Sequence, residues 1–299
     1  MPGLTIETPG KINLHLRVKQ RRSDGYHELE SIFLALRFGD TLHFSLCDEP
    51  GLRGLRGFTA LAPEENIICR ALSLFRAETG FSRGLRVELE KRIPLGGGMG
   101  GGSSDAASTL LALNELSGAG LSAPRLAELA GKLGSDVPFF LVGGAAWVSG
   151  RGELIQPVPS PAGLPVVLVN PGFPSETAGA FRLLDASREA SVFSGAEFAP
   201  ELPPEVLIKA LEGHPGGWPF YNDFLPVLSA GAGGVYQRML SGLKEGGADF
   251  CGLSGAGSTC FGVFPNRKLA EKAVKSLTQE WPFVELTFPL AYRVNPVLK

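Results

Sequence analysis

Between Ile12 and Val18 apolar residues alternate with polar ones, Ile12, Leu14, Leu16 and Val18 against Asn13, His15 and Arg17. A period of two predicts a half-buried β-strand, which puts Lys11, Asn13, His15 and Arg17 together on its other face. Ile32–Phe38 and Thr41–Leu46 read as two further strands. Pro63–Glu65 then opens a helix with apolar positions 67, 68, 71, 72, 74 and 75, the spacing of one helical face. Leu85, Val87 and Leu89 alternate again and run into Ile93-Pro94.

Beyond a glycine-dominated stretch, Ser103-Ser104-Asp105 precedes Ala106, Ala107, Leu110, Leu111, Leu113 and Leu116. That order predicts a helix with Ser at the cap and Asp in the first turn. Ser122 with Pro124 opens another helix that Gly134 closes, and Asp136 before Val137-Pro138 is a second cap signal. Pro157–Pro165 is the best linker candidate. A strand at Val166–Asn170 follows, then helices near Ser175–Leu184, Leu202–Glu212 and Val235–Lys244, and a strand–loop–strand unit centred on Ser254–Ser258. A helix at Lys268–Thr278 and a strand near Val284–Phe288 finish the chain. Strand pairs cluster at the start instead of alternating with helices, so the expected class is α+β.

The strongest local signal is Pro94-Leu95-Gly96-Gly97-Gly98-Met99-Gly100-Gly101-Gly102-Ser103-Ser104. Removing Cβ atoms lets a backbone approach a ligand and take positive φ values. The run ends at a helix N-terminus, where free N–H groups and the helix dipole favour anions. A phosphate cradle is the direct reading, with the Ser103 and Ser104 hydroxyls able to bind a phosphate oxygen or a metal. A ligand-free flexible loop is the bland alternative. A dinucleotide fingerprint matches only because any glycine run satisfies it, and the stretch that follows is helix where an acidic residue after a strand is needed. A P-loop fails because Gly102 stands where its lysine should be, and protein-kinase motifs are missing.

Composition narrows the class. Of 299 residues, 44% are hydrophobic and 19% charged, enough apolar mass for a sizeable core. A net charge of −2 supplies no global field for nucleic acid or an anionic membrane. Apolar runs such as Phe139–Val142 are too short to span a bilayer, and the N-terminus lacks the pattern of a signal peptide. Cys47, Cys69, Cys251 and Cys260 form no C-x-x-C pair and read as reduced thiols of a cytoplasmic protein. Phosphoryl transfer from ATP also needs a cation and an oriented nucleophile. Lys11 after Pro9-Gly10 and Asp136 in Gly-Ser-Asp-Val-Pro are available, although each alone reads as a surface charge or a plain cap. Asp24-Gly25-Tyr26-His27-Glu28 joins a turn to an aromatic ring and an imidazole. The Ser254–Ser258 loop reads equally as a tight hairpin or a second phosphate-facing segment.

Taken in order, these segments resemble the GHMP kinase superfamily. The stretches that carry the likeness are Pro9–Leu14, Asp24–Leu29, Asn66-Ile-Ile, Pro94–Ala107, Gly134–Pro138, Asn222–Pro226 and Ser254–Ser258, nearly the whole chain. Asp-Gly-Tyr-His-Glu-Leu and the long glycine loop point to those members that phosphorylate the 2-hydroxyl of a cytidine-diphosphate-linked methylerythritol in the non-mevalonate isoprenoid pathway. The resemblance implies a two-lobed α+β fold, with an ATP-binding and catalytic lobe over 1–157 and a substrate-closing lobe over 158–299. It implies ATP with Mg2+, a catalytic pair of Lys11 and Asp136, the ATP loop at Pro94–Ser104, and Asn66 beside the adenine. It further implies a cytidine-diphosphate pocket of Asn13, Tyr26, His27 and Phe181. Ser103 is the candidate metal ligand from the loop, since the resemblance assigns none. Gly10, Met99 and Arg22-Ser-Asp24 depart from the usual Ala, Leu and Pro-Asp of the family. Another GHMP small-molecule kinase and a catalytically dead nucleotide-binding protein stand as alternatives.

Overall fold

The computed structural model describes residues 3–56, 66–194, 201–231, 233–291 and 297–298. In chain order the first elements are β1 (Gly3–Arg21), β2 (His27–Cys47), β3 (Leu52–Arg56), α1 (Ile67–Thr79), β4 (Gly84–Glu90), α2 (Gly101–Ser117), α3 (Ala123–Leu133), α4 (Phe139–Val142), β5 (Ala145–Gly150) and β6 (Leu154–Val158). There follow β7 (Val166–Asn170), α5 (Thr177–Ser194), α6 (Pro204–Ala210), α7 (Phe224–Gly231), α8 (Val235–Glu245), β8 (Phe250–Leu253), β9 (Cys260–Val263), α9 (Arg267–Leu277), β10 (Phe283–Thr287) and β11 (Val297–Leu298).

The strands form a seven-stranded sheet in the order β11-β1-β2-β4-β3, with β5 and β6 branching from β2, and a four-stranded sheet in the order β10-β7-β9-β8. The α+β expectation therefore holds. The two strands read at Ile32–Phe38 and Thr41–Leu46 are one strand, β2, which pairs β5 over Leu29–Leu34 and β4 over Thr41–Cys47. Gly39 joins the two stretches because a Cβ there would lie 2.1 Å from the Thr8 carbonyl oxygen. β5 and β6 had no clear alternating signal, and Pro157, expected in a linker, lies inside β6.

Apolar side chains collect in three cores. Phe44, Val87, Ile68, Leu110, Leu129 and Phe139 pack the larger sheet against α1, α2, α3 and α4. Val167, Leu184, Tyr236, Leu243 and Ala273 pack the smaller sheet against α5, α8 and α9. In the third, Ile12, Leu14 and Leu34 of the larger sheet meet Val166, Leu168 and Phe261 of the smaller. Both faces of β1 are consequently covered from Thr8 to Leu16, which corrects the half-buried reading: Lys11, Asn13 and His15 are all buried. Fully burying one large apolar side chain contributes about 1.5–3 kcal/mol, and that gain must offset the cost of placing these polar groups inside.

Candidate active site

β1 positions the first functional groups. Lys11 does not open the strand, as Pro9-Gly10 suggested; the strand begins at Gly3, and the pairing of β1 with β2 shifts register between Pro9 and Lys11 and again between Asn13 and His15. Bulges of this kind re-aim side chains. The Lys11 ammonium donates to Asn13 Oδ1 at 2.6 Å, lies 3.5 Å from Asp136 Oδ2, and sits 4.4 Å from the centre of the Phe33 ring. Asn13 in turn donates to Ser31 Oγ at 2.9 Å. Burial pushes the Lys11 pKa below its ordinary value, opposed by the Asp136 charge and the hydrogen bond to it.

Asp136 does not cap a helix. It occupies the turn between α3 and α4, whose cap is Pro138, and its side chain keeps 32% exposure. A carboxylate that is tied to a buried cation yet reachable from a cavity can accept a proton from a bound hydroxyl. Sequence spacing could not pair Lys11 with Asp136; the fold brings them together.

The glycine loop is held by its carbonyl edge. Gly96 O accepts from Ser175 N at 2.9 Å, Gly97 O from Thr259 N at 3.2 Å, and Met99 O from Lys11 N at 2.9 Å. Gly98 O accepts from Ser254 Oγ at 2.9 Å. Within the loop Gly97 N donates to Pro94 O at 3.3 Å. α2 begins at Gly101 with Gly100 as its cap at φ 70°, so the cap expected at Ser103 is corrected. The first-turn N–H groups of Gly101, Gly102 and Ser103 thus lack helical partners, the arrangement that binds phosphate. Gly98 must be glycine: its φ is 74°, and a Cβ would lie 2.1 Å from Ser254 O. The late Ser254–Ser258 loop therefore packs on the glycine loop and supports it.

This loop separates two cavities. One, lined by the loop itself with Asn66, Ile67, Leu89 and Lys91, suits a nucleotide. Asn66 Oδ1 also caps α1, accepting from Ile68 N at 2.9 Å; the helix opening expected at Pro63–Glu65 lies outside the described residues. The other cavity is lined by Lys11, Asn13, Asp136, Phe181 and Ala256 among others. Gly98 and Gly100 line both.

In the wall of the first cavity lies an ion network that sequence reasoning missed. Lys91 Nζ is 2.5 Å from Asp40 Oδ2 and 3.2 Å from Asp105 Oδ2, and Thr8 Oγ1 donates to Asp105 Oδ1 at 2.9 Å. Asp105 is therefore a buried ion-pair partner past the first turn, not the first-turn acid that was expected. Burial pushes its carboxyl up to about 6, against the pull of Lys91. The signal available was Lys91 at the end of an alternating strand, immediately before the loop.

His27 and Phe181 come together, their rings 5.0 Å apart and 20° from parallel. His27 Nε2 lies 2.9 Å from Asp185 Oδ1. Tyr26 is not part of that stack; it is exposed, with the Arg151 guanidinium 4.9 Å from its ring centre. Ser103 lines the first cavity. Among the described residues no group of three or more His, Cys, Asp or Glu could hold a metal on its own.

The sequence profile for the GHMP kinases N terminal domain matches residues 66–144, and that for the GHMP kinases C terminal matches 233–282. A 4-diphosphocytidyl-2-C-methyl-D-erythritol kinase from Xanthomonas axonopodis pv. citri (strain 306) is 37% identical over 270 residues, 90% of this chain and 85% of its own length. A crystal structure of 4-(cytidine 5'-diphospho)-2C-methyl-D-erythritol kinase superposes with a TM-score of 0.80 at 33% identity, covering 95% of this chain and 98% of the other. A homoserine kinase from Cytophaga hutchinsonii shares the fold alone, with a TM-score of 0.74 at 17% identity over 99% of this chain and 97% of its own.

Proposed function

The chain belongs to the 4-diphosphocytidyl-2-C-methyl-D-erythritol kinase family of GHMP kinases, and from that premise we propose that Lys11 and Asp136 carry out its reaction. The protein transfers the γ-phosphoryl group of ATP to the 2-hydroxyl of 4-diphosphocytidyl-2-C-methyl-D-erythritol, giving the 2-phosphate and ADP. The observation that carries the site assignment is the glycine loop shared by the two cavities, with the Lys11–Asp136 pair beside it at 3.5 Å.

Asp136 takes the proton from the acceptor hydroxyl. The freed oxygen forms a bond to the γ-phosphorus as the bond to the bridging oxygen of ADP breaks. Lys11, held by Asn13, fixes the Asp136 carboxylate and offsets negative charge developing between the two cavities. The N–H edge of Gly101–Ser103 holds the phosphates, and Asn66 with Ile67 borders the base. Asn13, Tyr26, His27 and Phe181 form the cytidine-diphosphate side.

Mg2+ would be held by ATP phosphate oxygens with the Ser103 hydroxyl, in keeping with an ion that takes few protein ligands in such sites; it supplies charge neutralisation. The nucleotide-binding and catalytic lobe, expected over 1–157, is better ended at Val158, where β6 ends, with the substrate-closing lobe after it and β11 returning to the larger sheet. No helix among the described residues is long and apolar enough to cross a membrane, and the four free cysteines suit a reducing cytoplasm. Incubation with ATP and the cytidylylated alcohol, followed by phosphorus NMR, is expected to show ADP and one new phosphomonoester on the 2-oxygen. Phosphate released to water without that ester would refute the assignment.

A further inference from the structure

Beside the acceptor cavity, against Phe181 of its lining, stands a histidine whose ring is fixed from two sides. Alternate residues of β2, His27, Leu29, Ser31 and Phe33, share one face of the strand, and the last three line the acceptor cavity. His27 is the next position on that face, one step beyond the lining residues, with its side chain only 8% exposed. Helix α5 reaches it with two residues at i and i+4, which lie on one face of a helix. Phe181 stacks on the imidazole at 5.0 Å, and the Asp185 carboxylate sits 2.9 Å from Nε2. Phe181 is itself braced edge-on by Phe224, with ring centres 4.9 Å apart.

A carboxylate can only accept, so the 2.9 Å contact requires a proton on Nε2. In neutral imidazole the other nitrogen is then an acceptor. Nδ1 has no partner among the described residues and is the ring atom left for a ligand. Cytosine presents an exocyclic amino donor, whereas uracil has a carbonyl acceptor at the same place. An Nδ1 acceptor pairs with the first and faces the second with two lone pairs opposed. A site built to hydrogen-bond one group penalises the analogue that leaves it unpaired.

We propose that Asp185 is the positioning residue that holds His27 with Nδ1 as a hydrogen-bond acceptor, and that this makes the acceptor site select an amino-bearing pyrimidine over its oxo counterpart. The proposal rests on the kinase reading above. Asp185 touches neither the reacting atoms nor the ATP loop, so its effect should appear in acceptor selectivity alone.

The test compares kcat/KM for the cytidine-diphosphate-linked and uridine-diphosphate-linked alcohols in the wild type, Asp185→Ala and Asp185→Glu. Asp185→Ala is expected to lower the cytidine-to-uridine ratio about 10-fold or more, the effect of one mispaired buried group. The change should lie in the acceptor KM, with kcat and the KM for ATP unchanged, and Asp185→Glu should recover most of it. Nitrogen-15 NMR of the imidazoles supplies a readout without any substrate, and only four histidines need assigning. It should show the Nε2-protonated form of His27 in the wild type and a mixture in Asp185→Ala. A wild-type ring protonated on Nδ1 alone, an unchanged ratio in Asp185→Ala, or an equal fall with both acceptors would overturn the proposal. A wild-type enzyme that phosphorylates neither acceptor would sink the kinase reading and the proposal with it; normal turnover of the cytidine form with an unchanged ratio would sink the proposal alone.

Discussion

Gly102 separates binding from folding more cleanly than any other position in the loop. It is the second residue of α2, and a Cβ built there meets only Ile67 Cγ2, at 4.0 Å. Its neighbours are unsuitable. A Cβ at Gly101 would lie 2.8 Å from Lys91 Nζ, and Gly100 has φ 70° with Phe140 Cζ at 2.7 Å. Gly102→Ala should therefore leave the unliganded fold intact and stabilise it, because alanine exceeds glycine in a helix by about 0.5–1 kcal/mol. At about 2–4 °C per kcal/mol for a chain somewhat shorter than this one, Tm should rise by roughly 1–3 °C. The same methyl group projects where phosphate must approach the first-turn N–H groups. Losing one charge-assisted hydrogen bond costs about 1.5–3 kcal/mol, so Kd for ATP should rise about 10–100-fold. Thermal melts of the free protein and isothermal titration with a non-hydrolysable ATP analogue give the two numbers. Unchanged affinity in a variant with a raised Tm would refute phosphate binding at the start of α2. A lowered Tm would refute the open space assigned to Gly102.

Asp136→Asn should lower kcat about 100-fold or more, the loss expected of a positioned base, with little change in Kd for ATP; steady-state rates and titration check both. It also removes the charge that opposes desolvation of Lys11, so the Lys11 pKa should fall further below its ordinary value, measurable by NMR of a labelled lysine. Lys91→Met should destabilise the fold by about 3–5 kcal/mol by leaving Asp40 and Asp105 buried without their cation; urea unfolding reads this directly. His15 provides a pH test. Burial, helped by Arg17, lowers its pKa from 6.5 to about 4. The unfolded chain then binds the proton first, so the stability this group contributes is present above pH 6.5 and lost as pH falls towards 4, up to about 3 kcal/mol. Asp105, raised to about 6, acts in the opposite direction over the same range. The comparison is therefore the wild type against His15→Leu, whose Tm should gain on the wild type between pH 6.5 and 4.

Local signals located the parts of the site, and long-range packing decided their roles. The glycine run, the alternation around Asn13 and the Asp24–Glu28 turn are sequence-contiguous, so their type could be read. Lys11 and Asp136 stand far apart in sequence, and their 3.5 Å contact follows from two bulges in β1 and an uncapped turn after α3. Ser103 looked like a cap because serine favours that position. Gly100 takes it instead, since only a glycine adopts the left-handed backbone that lets the loop run directly into the helix. Asp105 looked like a dipole partner, but Thr8 of β1 and Lys91, just past β4, hold it in a buried ion network. Thr259, Ser254 and Ser175 hold the loop from distant segments that show no common pattern in sequence.

The central claim is that this chain phosphorylates an alcohol it recognises through a cytidine diphosphate group. The direct measurement is kcat/KM for ADP release with 4-diphosphocytidyl-2-C-methyl-D-erythritol, set against the bare methylerythritol phosphate, mevalonate, homoserine and galactose. A preference for the cytidylylated alcohol of about 100-fold or more over each of the others is expected, since a missing base leaves both stacking and hydrogen-bonding groups unpaired. Equal values for the cytidylylated alcohol and the bare alcohol phosphate, or a higher value for any of the other three, would contradict it.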